Sequence, residues 1–255
     1  MAFGLSVQAV AAPLTTGADF LLMTTGARPD GMGGAFSAVA DDINTLSFNL
    51  AGLGNIRLPE VGYGYENFVA GINYNFVGAA IPMGPAGVLG LGYINMGTTP
   101  FNSTVDPIAT AVTAQDQALI AAWGRSFYDF HVGVAAKYIM RQLDDVQGNG
   151  FAFDAGLRVR PLPNLTLAAS ALNVGPGIRL ADLEPLPIVL NGGIAFAPWE
   201  EPSHTLTLAA NAACNLTTNT QQFGVGFEYW YRGTVALRGG YLANSRDTEF
   251  SVNGA

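Results

Sequence analysis

Charge is what this chain has least of. Charged residues make up 12% of its 255 positions, where a soluble domain carries about 25%. A surface facing water on all sides would lack the ions that normally cover it. Eleven Lys and Arg stand against 19 Asp and Glu, for a net charge of −8. No basic stripe exists to neutralise phosphates, which excludes nucleic-acid binding. The single cysteine, Cys214, excludes an internal disulfide and reads as a small apolar residue on a strand face. The two histidines, His131 and His204, have neither a cysteine nor a second histidine at ligand spacing. There is no G-x-S-x-G elbow, and no Gly-rich loop running into Lys-Ser/Thr. The expectation is a non-enzyme without metal or cofactor.

Long apolar runs are lacking too. No charged residue occurs from Asn67 to Val105, yet Asn, Gly and Pro interrupt the stretch every few positions. An uninterrupted apolar helix of about 20 residues does not form. What is present is 49% hydrophobic residues and 32 glycines, a composition that excludes disorder. The length suits one large β domain or two small ones. Low charge without a membrane helix leaves two architectures. One is a transmembrane barrel, whose apolar signal is spread over alternating positions; the other is a soluble β-sandwich with a neutral surface.

From Pro59 onward, aromatic and β-branched runs of about ten residues alternate with turn chemistry. Twelve such runs are expected, at about 59–68, 71–82, 86–97, 115–127, 130–142, 150–160, 164–174, 187–197, 203–214, 220–231, 233–243 and 247–255. Period-two alternation is clearest in four. Phe151, Phe153, Ala155, Leu157 and Val159 oppose Ala152, Asp154, Gly156, Arg158 and Arg160. Val132, Val134, Ala136, Tyr138 and Met140 oppose His131, Gly133, Ala135, Lys137 and Arg141. Phe223, Val225, Phe227, Tyr229 and Tyr231 oppose Gln222, Gly224, Gly226, Glu228 and Trp230. Val235, Leu237 and Tyr241 oppose Thr234, Ala236, Arg238 and Gly240. Run 115–127 is ambiguous, with Leu119 and Trp123 opposite in parity to Ile120.

A sandwich would put Lys, Glu, Thr and Ser on its second face. Here that face is mostly Gly and Ala with isolated charges, which suits a crowded interior and favours the barrel. The interior charges are then Lys137, Arg141, Asp154, Arg158, Arg160, Glu228 and Arg238, and each needs a partner, because an unpaired buried charge is costly. Connections alternate in length as well. Short ones are expected at Pro82–Ala86, Tyr128–Asp129, Pro161–Asn164, Pro198–Pro202 and Arg232. Longer ones are expected at Thr98–Ala114, Leu143–Asn149, Asn173–Leu186, Asn215–Asn219 and Ala243–Arg246, the pattern of short periplasmic turns and longer outer loops.

The run from Gly31 to Leu53 lacks period-two alternation and reads as short helices. Asp41, Asp42 and Asn44 suit a helix start, and Gly52 and Gly54 a stop. Before it, Met1–Ala12 ends in Ala9-Val10-Ala11, a small-x-small cleavage pattern that reads as the remnant of a secretory signal peptide. The chain divides into 1–12, a hatch or plug at 13–58, and a β-barrel at 59–255.

At this point the residues carry a resemblance. Gly26-Ala-Arg28, Met32-Gly33-Gly34-Ala-Phe36, Ala40-Asp41-Asp42 and Asn49-Leu-Ala51-Gly52-Leu53 resemble the N-terminal hatch of the PorV/PorQ family of FadL-like outer-membrane barrels. Later, Leu172-Asn-Val-Gly-Pro-Gly-Ile-Arg179, Glu228-Tyr-Trp-Tyr231 and Val235-Ala-Leu-Arg-Gly-Gly-Tyr241 are similar to that family in the same order. Two departures stand out. Leu50 replaces the proline of the family's Asn-Pro-Ala-Gly-Leu. The family barrel has about 14 strands where this chain offers about 12, so a C-terminally truncated barrel is expected.

The resemblance implies an all-β antiparallel transmembrane barrel with a helical hatch in a bacterial outer membrane. It further implies a partner or shuttle in type IX protein secretion, working with the translocon and secreted cargo. The alternative from the same relatives is a FadL-like channel for hydrophobic small molecules. A soluble β-sandwich binding module is the reading outside the membrane. Within the plug reading, Arg158, Arg160 or Arg238 is expected to pair with Asp41 or Asp42 and pin the plug. The competing expectation is that these charges pair only among strands.

Overall fold

The computed structural model describes residues 16–23, 26–68, 71–98, 114–180 and 182–245. The signal-like stretch 1–12, the run 247–255 and nearly all of the 98–114 connection lie outside the described residues. The described residues of 16–58 contain no strand. They form a 3-10 turn at Asp19–Leu22, helix α1 (Ala27–Gly31), helix α2 (Thr45–Phe48) and a 3-10 helix at Leu50–Asn55, joined by tight turns. Asp42 supports the start of α2, its side chain accepting from the backbone N–H of Asn44 (2.9 Å). α2 ends at Phe48, where Thr45 Oγ1 donates to the Asn49 carbonyl, and the 3-10 helix then carries the chain through Gly52 and Gly54 to stop at Asn55.

Eleven of the twelve expected runs are strands. These are β1 (Glu60–Asn67), β2 (Ile72–Pro82), β3 (Val88–Thr98), β4 (Ala114–Phe127), β5 (Phe130–Leu143), β6 (Val146–Leu162) and β7 (Leu165–Val174), then β10 (Val189–Glu201), β11 (His204–Asn215), β12 (Thr220–Tyr231) and β13 (Val235–Asn244). Each pairs antiparallel with its neighbour in chain order, in one 11-stranded meander. The two-residue strands β8 (Ile178–Arg179) and β9 (Leu183–Glu184) form a separate hairpin between β7 and β10. The fold is therefore all-β and antiparallel, in a single sheet rather than the two stacked sheets of a sandwich. Among the described residues β1 and β13 do not pair with each other, so the sheet is not closed.

The alternation sorts the two faces in an inverted sense. Large apolar side chains point away from the protein's interior: Val61 is 79% exposed and Leu237 62%, and Tyr63, Phe153, Leu157, Ile194, Val225 and Tyr241 are exposed as well. The opposite face is buried. In β6 the buried positions are Gly150, Ala152 and Asp154, while Phe151, Phe153 and Ala155 are exposed. The ambiguous run 115–127 resolves with Leu119 outward and Ile120 inward, where Ile120 joins the buried cluster with Leu46, Leu50 and Leu53.

The buried face wraps the helical segment. Ile43 reaches β1 and β2 at Gly62 and Gly78, Leu46 reaches β3 at Gly92, and Leu50 lies on β5 at Gly133. Ser37 and Ala38 lie on β10 at Gly193, and Met32 lies on β12 and β13 at Gly226 and Gly240. Both edge strands therefore contact the same short segment. A Cβ added at Gly133, Gly156, Gly226 or Gly240 would overlap backbone or a buried side-chain oxygen of that segment, so the inner face is small by steric necessity.

Two expected connections differ. Leu143–Asn149 is not a longer loop: β5 and β6 run on to a two-residue turn at Asp144 and Asp145, with Asp144 at φ +53°, a conformation Asp tolerates. The Asn173–Leu186 stretch does not project either. It folds inward, burying Ile178 and Leu186. Gly17 N–H donates to the Pro185 carbonyl (2.8 Å).

The glycine track predicts a position-specific stability response. Gly226→Val should destabilise the protein by about 1–3 kcal/mol, the usual overpacking cost. Gly192→Val, on the outward face with nothing within 4 Å of an added Cβ, should be near neutral. Denaturant unfolding in detergent followed by tryptophan fluorescence compares the two; equal losses would refute the close-approach account.

Candidate functional site

The helical segment exposes many backbone groups that its short helices cannot satisfy. Side chains from the strands supply partners. Ser126 Oγ donates to the Gly54 carbonyl (2.7 Å) and Ser170 Oγ to that of Phe48 (2.9 Å). Arg158 Nη1 donates to the Ala40 carbonyl (3.1 Å), and Glu60 Oε1 accepts from Ile43 N–H (3.1 Å). Asn49 is the central connector. It is wholly buried; its Oδ1 accepts from Ala51 N–H (3.1 Å). Its Nδ2 faces the carbonyls of Ser37, Leu157 and Ala169 at 3.2–3.4 Å, tying the plug to β6 and β7. Leu50, where the resemblance leads one to expect proline, is fully buried and its carbonyl rests against Gly133.

The ionic link that pins the segment passes through Arg28. Its guanidinium contacts Asp41 (2.5 Å) and Asp42 (2.8 Å) within the segment. It also contacts both oxygens of Glu228 on β12 (2.8 Å each). Arg238 Nε on β13 closes on the same carboxylate (2.5 Å). Burial alone would pull the Arg28 pKa down, but the Glu228 bond and the nearby Asp41 charge outweigh it and hold it above the ordinary arginine value. The expected direct pairs of Arg158, Arg160 or Arg238 with Asp41 or Asp42 are not formed; Arg28, not singled out as a charge in the sequence, takes that place. It was detectable only as the arginine of the Gly26-Ala-Arg28 motif, since its partner lies 200 positions away.

Two further clusters fill the interior. Lys137 Nζ meets Asp154 Oδ2 (2.8 Å) and donates to Asn173 Oδ1 (2.7 Å). Asp154 Oδ1 accepts from Asn173 N–H (2.7 Å). Asn173 sits at φ +61°, and β6 and β7 shift register beside it, which turns its backbone N–H inward. Nearer the other rim, Arg141 bridges Asp116 on β4 (3.1 Å) and Glu184 on β9 (2.5 Å), latching the inward hairpin.

Of the interior charges expected from parity, Lys137, Asp154 and Glu228 are buried, and Arg141, Arg158 and Arg238 are half-buried. Arg160 is a correction: it is exposed at the end of β6 and pairs with exposed Glu200 (3.2 Å), because the strand has by then run past the plug. In the hatch motif, Met32, Gly33, Ala40, Asn49, Ala51 and Gly52 are buried, Gly34 and Asp42 half-buried and Asp41 exposed. Gly33 takes φ +61° against the Tyr241 backbone. Among the described residues no cluster of three or more His, Cys, Asp or Glu could hold a metal. What the arrangement can do is mechanical: hold a plug against a curved sheet. A scan against protein-family models finds no match for this chain, and a search of curated proteins finds none either.

Glu228→Gln should weaken both arginine contacts while leaving the shape intact. Removing one partner of a buried ion pair typically costs about 3–5 kcal/mol, and here the loss should appear as earlier protease cleavage near Arg28. Limited proteolysis with proteinase K and mass mapping checks it, since Pro29 blocks trypsin at Arg28; unchanged cleavage kinetics would show that the link does not hold the plug.

Proposed function

We propose that this chain is a plugged outer-membrane β-barrel protein of the PorV/PorQ type, serving as a partner or shuttle in type IX protein secretion. One observation carries the membrane part of this reading: the sheet turns its large apolar side chains outward and its glycines, alanines and charges inward. Soluble proteins rarely expose contiguous apolar patches beyond a few hundred Å², whereas a lipid-facing barrel needs this inversion. Among the described residues the outer edges of β1 and β13 have no strand partner, and in lipid they must be covered, since unpaired backbone groups there cost several kcal/mol each.

The occupied interior supports a protein-contact role over a diffusion path. Phe20, Phe36, Leu46, Ile139, Ile178 and Leu186 are at most 1% exposed, and three ionic clusters cross-link the filling. A FadL-like channel calls for an apolar pocket beside the plug. Two hollows of about 310 and 350 Å³ lie at the rim formed by the short turns, and the second, against the plug's last turn, carries two arginines in its wall rather than an apolar lining. The inward fold of Asn173–Leu186 leaves the 98–114 connection as the longer candidate for translocon or cargo contacts.

Fractionation tests the membrane reading: recovery in the outer membrane supports it, and recovery from cytosol without detergent overturns it. Affinity purification from solubilised envelopes then separates the roles. Translocon subunits or cargo on the protein support the shuttle; a fatty acid or detergent held in the lumen supports the channel. In planar bilayers Arg28→Ala should raise conductance over the parent protein by loosening the plug. An unchanged trace would remove Arg28 from that role.

A further inference from the structure

The hollow of about 350 Å³ lies where the plug's last turn meets the β2–β3 connection and the end of β4. Its lining includes Gly54, Arg57, Pro82, Gly87, Arg125 and Ser126. The charged residues in its wall are Arg57 and Arg125; no carboxylate lines it. In a chain with eight more acids than bases, two arginines without an acid make a local excess of positive charge. Neither pairs with a carboxylate among the described residues.

The position of Arg125 gives the site its character. It shares the outward parity of β4 with Leu119, Trp123 and Phe127, and its guanidinium lies over the Phe127 ring at 4.7 Å. Trp123 Nε1 donates to the Ala86 carbonyl (2.8 Å), placing an amphipathic ring beside the hollow. Exposed Leu58, Ile81, Met83 and Phe130 surround this rim. A charge on the lipid-facing side of a strand belongs at headgroup depth, where aromatic rings also settle. There a paired guanidinium site meets phosphodiesters, which arginine binds bidentately. The apolar face running away from the hollow offers a surface for acyl chains.

We propose that the Arg57–Arg125 hollow binds the phosphodiester of an acidic glycerophospholipid, in the leaflet at the short-turn end. This rests on the membrane reading above. The headgroup phosphate sits between the two guanidiniums, and the chains lie along the outward face beside Ile81 and Phe127.

The full chain, released from a non-ionic detergent, is examined by native mass spectrometry with equimolar phosphatidylglycerol and phosphatidylcholine. One phosphatidylglycerol should be retained in preference to phosphatidylcholine. Arg57→Ala with Arg125→Ala should weaken its apparent affinity roughly 30-fold, at about 1 kcal/mol per basic residue near a membrane surface. Arg160→Ala, which removes an exposed arginine outside the hollow, should leave it unchanged. Equal retention of both lipids, or no loss in the double variant, overturns the proposal. So does inorganic phosphate at millimolar concentration displacing the lipid, which would mark a site for free anions. Insertion into liposomes, followed by heat-modifiable migration on gels, is measured on the same proteins. Insertion without lipid preference removes only this proposal; failure to insert removes the membrane reading and this site with it.

Discussion

The structure depends on one constraint: a short, irregular segment must approach the backbone of nearly every strand. The approach is so close that a single methyl group at several inner positions would overlap the plug. Tight contact of this kind brings polar backbone next to polar backbone, and those groups need partners. Strand side chains provide them, with Ser126, Arg158 and Ser170 taking the plug's carbonyls and Asn49 returning the favour to β6 and β7. Packing and hydrogen bonding are thus coupled; loosening one exposes the other.

The ion pairs follow from that geometry. Long charged side chains cross the interior from one element to the next. Arg28 reaches across to Glu228, Lys137 to Asp154 and Arg141 to Glu184. The first joins the plug to β12, the second joins the adjacent strands β5 and β6, and the third joins β5 to the inward hairpin. Buried pairs are weak sources of net stability. Their value here is geometric: a carboxylate with two guanidinium partners accepts few other positions, so the plug has one seat.

The outward face is the counterpart of the filled interior. Once the small residues are committed to the plug, the large ones have only the outside left, and the sheet becomes apolar where it would meet solvent. This gives the plug and the membrane reading a common origin. It also explains why arginine placement matters at the rim. Arg160 lies past the plug and is neutralised by Glu200, whereas Arg125 turns outward beside the plug's last turn and is left with an aromatic neighbour.

Period-two alternation between Gly or Ala and large apolar residues determined by itself that β5, β6, β12 and β13 are strands with two unlike faces. The break in that alternation likewise marked residues 31–53 as something other than a strand. These signals are local, and local signals survive in sequence. The partner of Arg28 was not legible, because nothing in a chain marks which of 19 acids will be brought 200 positions closer. Nor was the tight turn at Asp144 and Asp145, since strand ends depend on how far pairing continues rather than on residue type. The inward fold of 175–188 was hidden for a related reason: its Gly and Pro content reads as loop whichever way it points. Only the tertiary structure decided these, because each turns on which distant surface is close enough to exclude water.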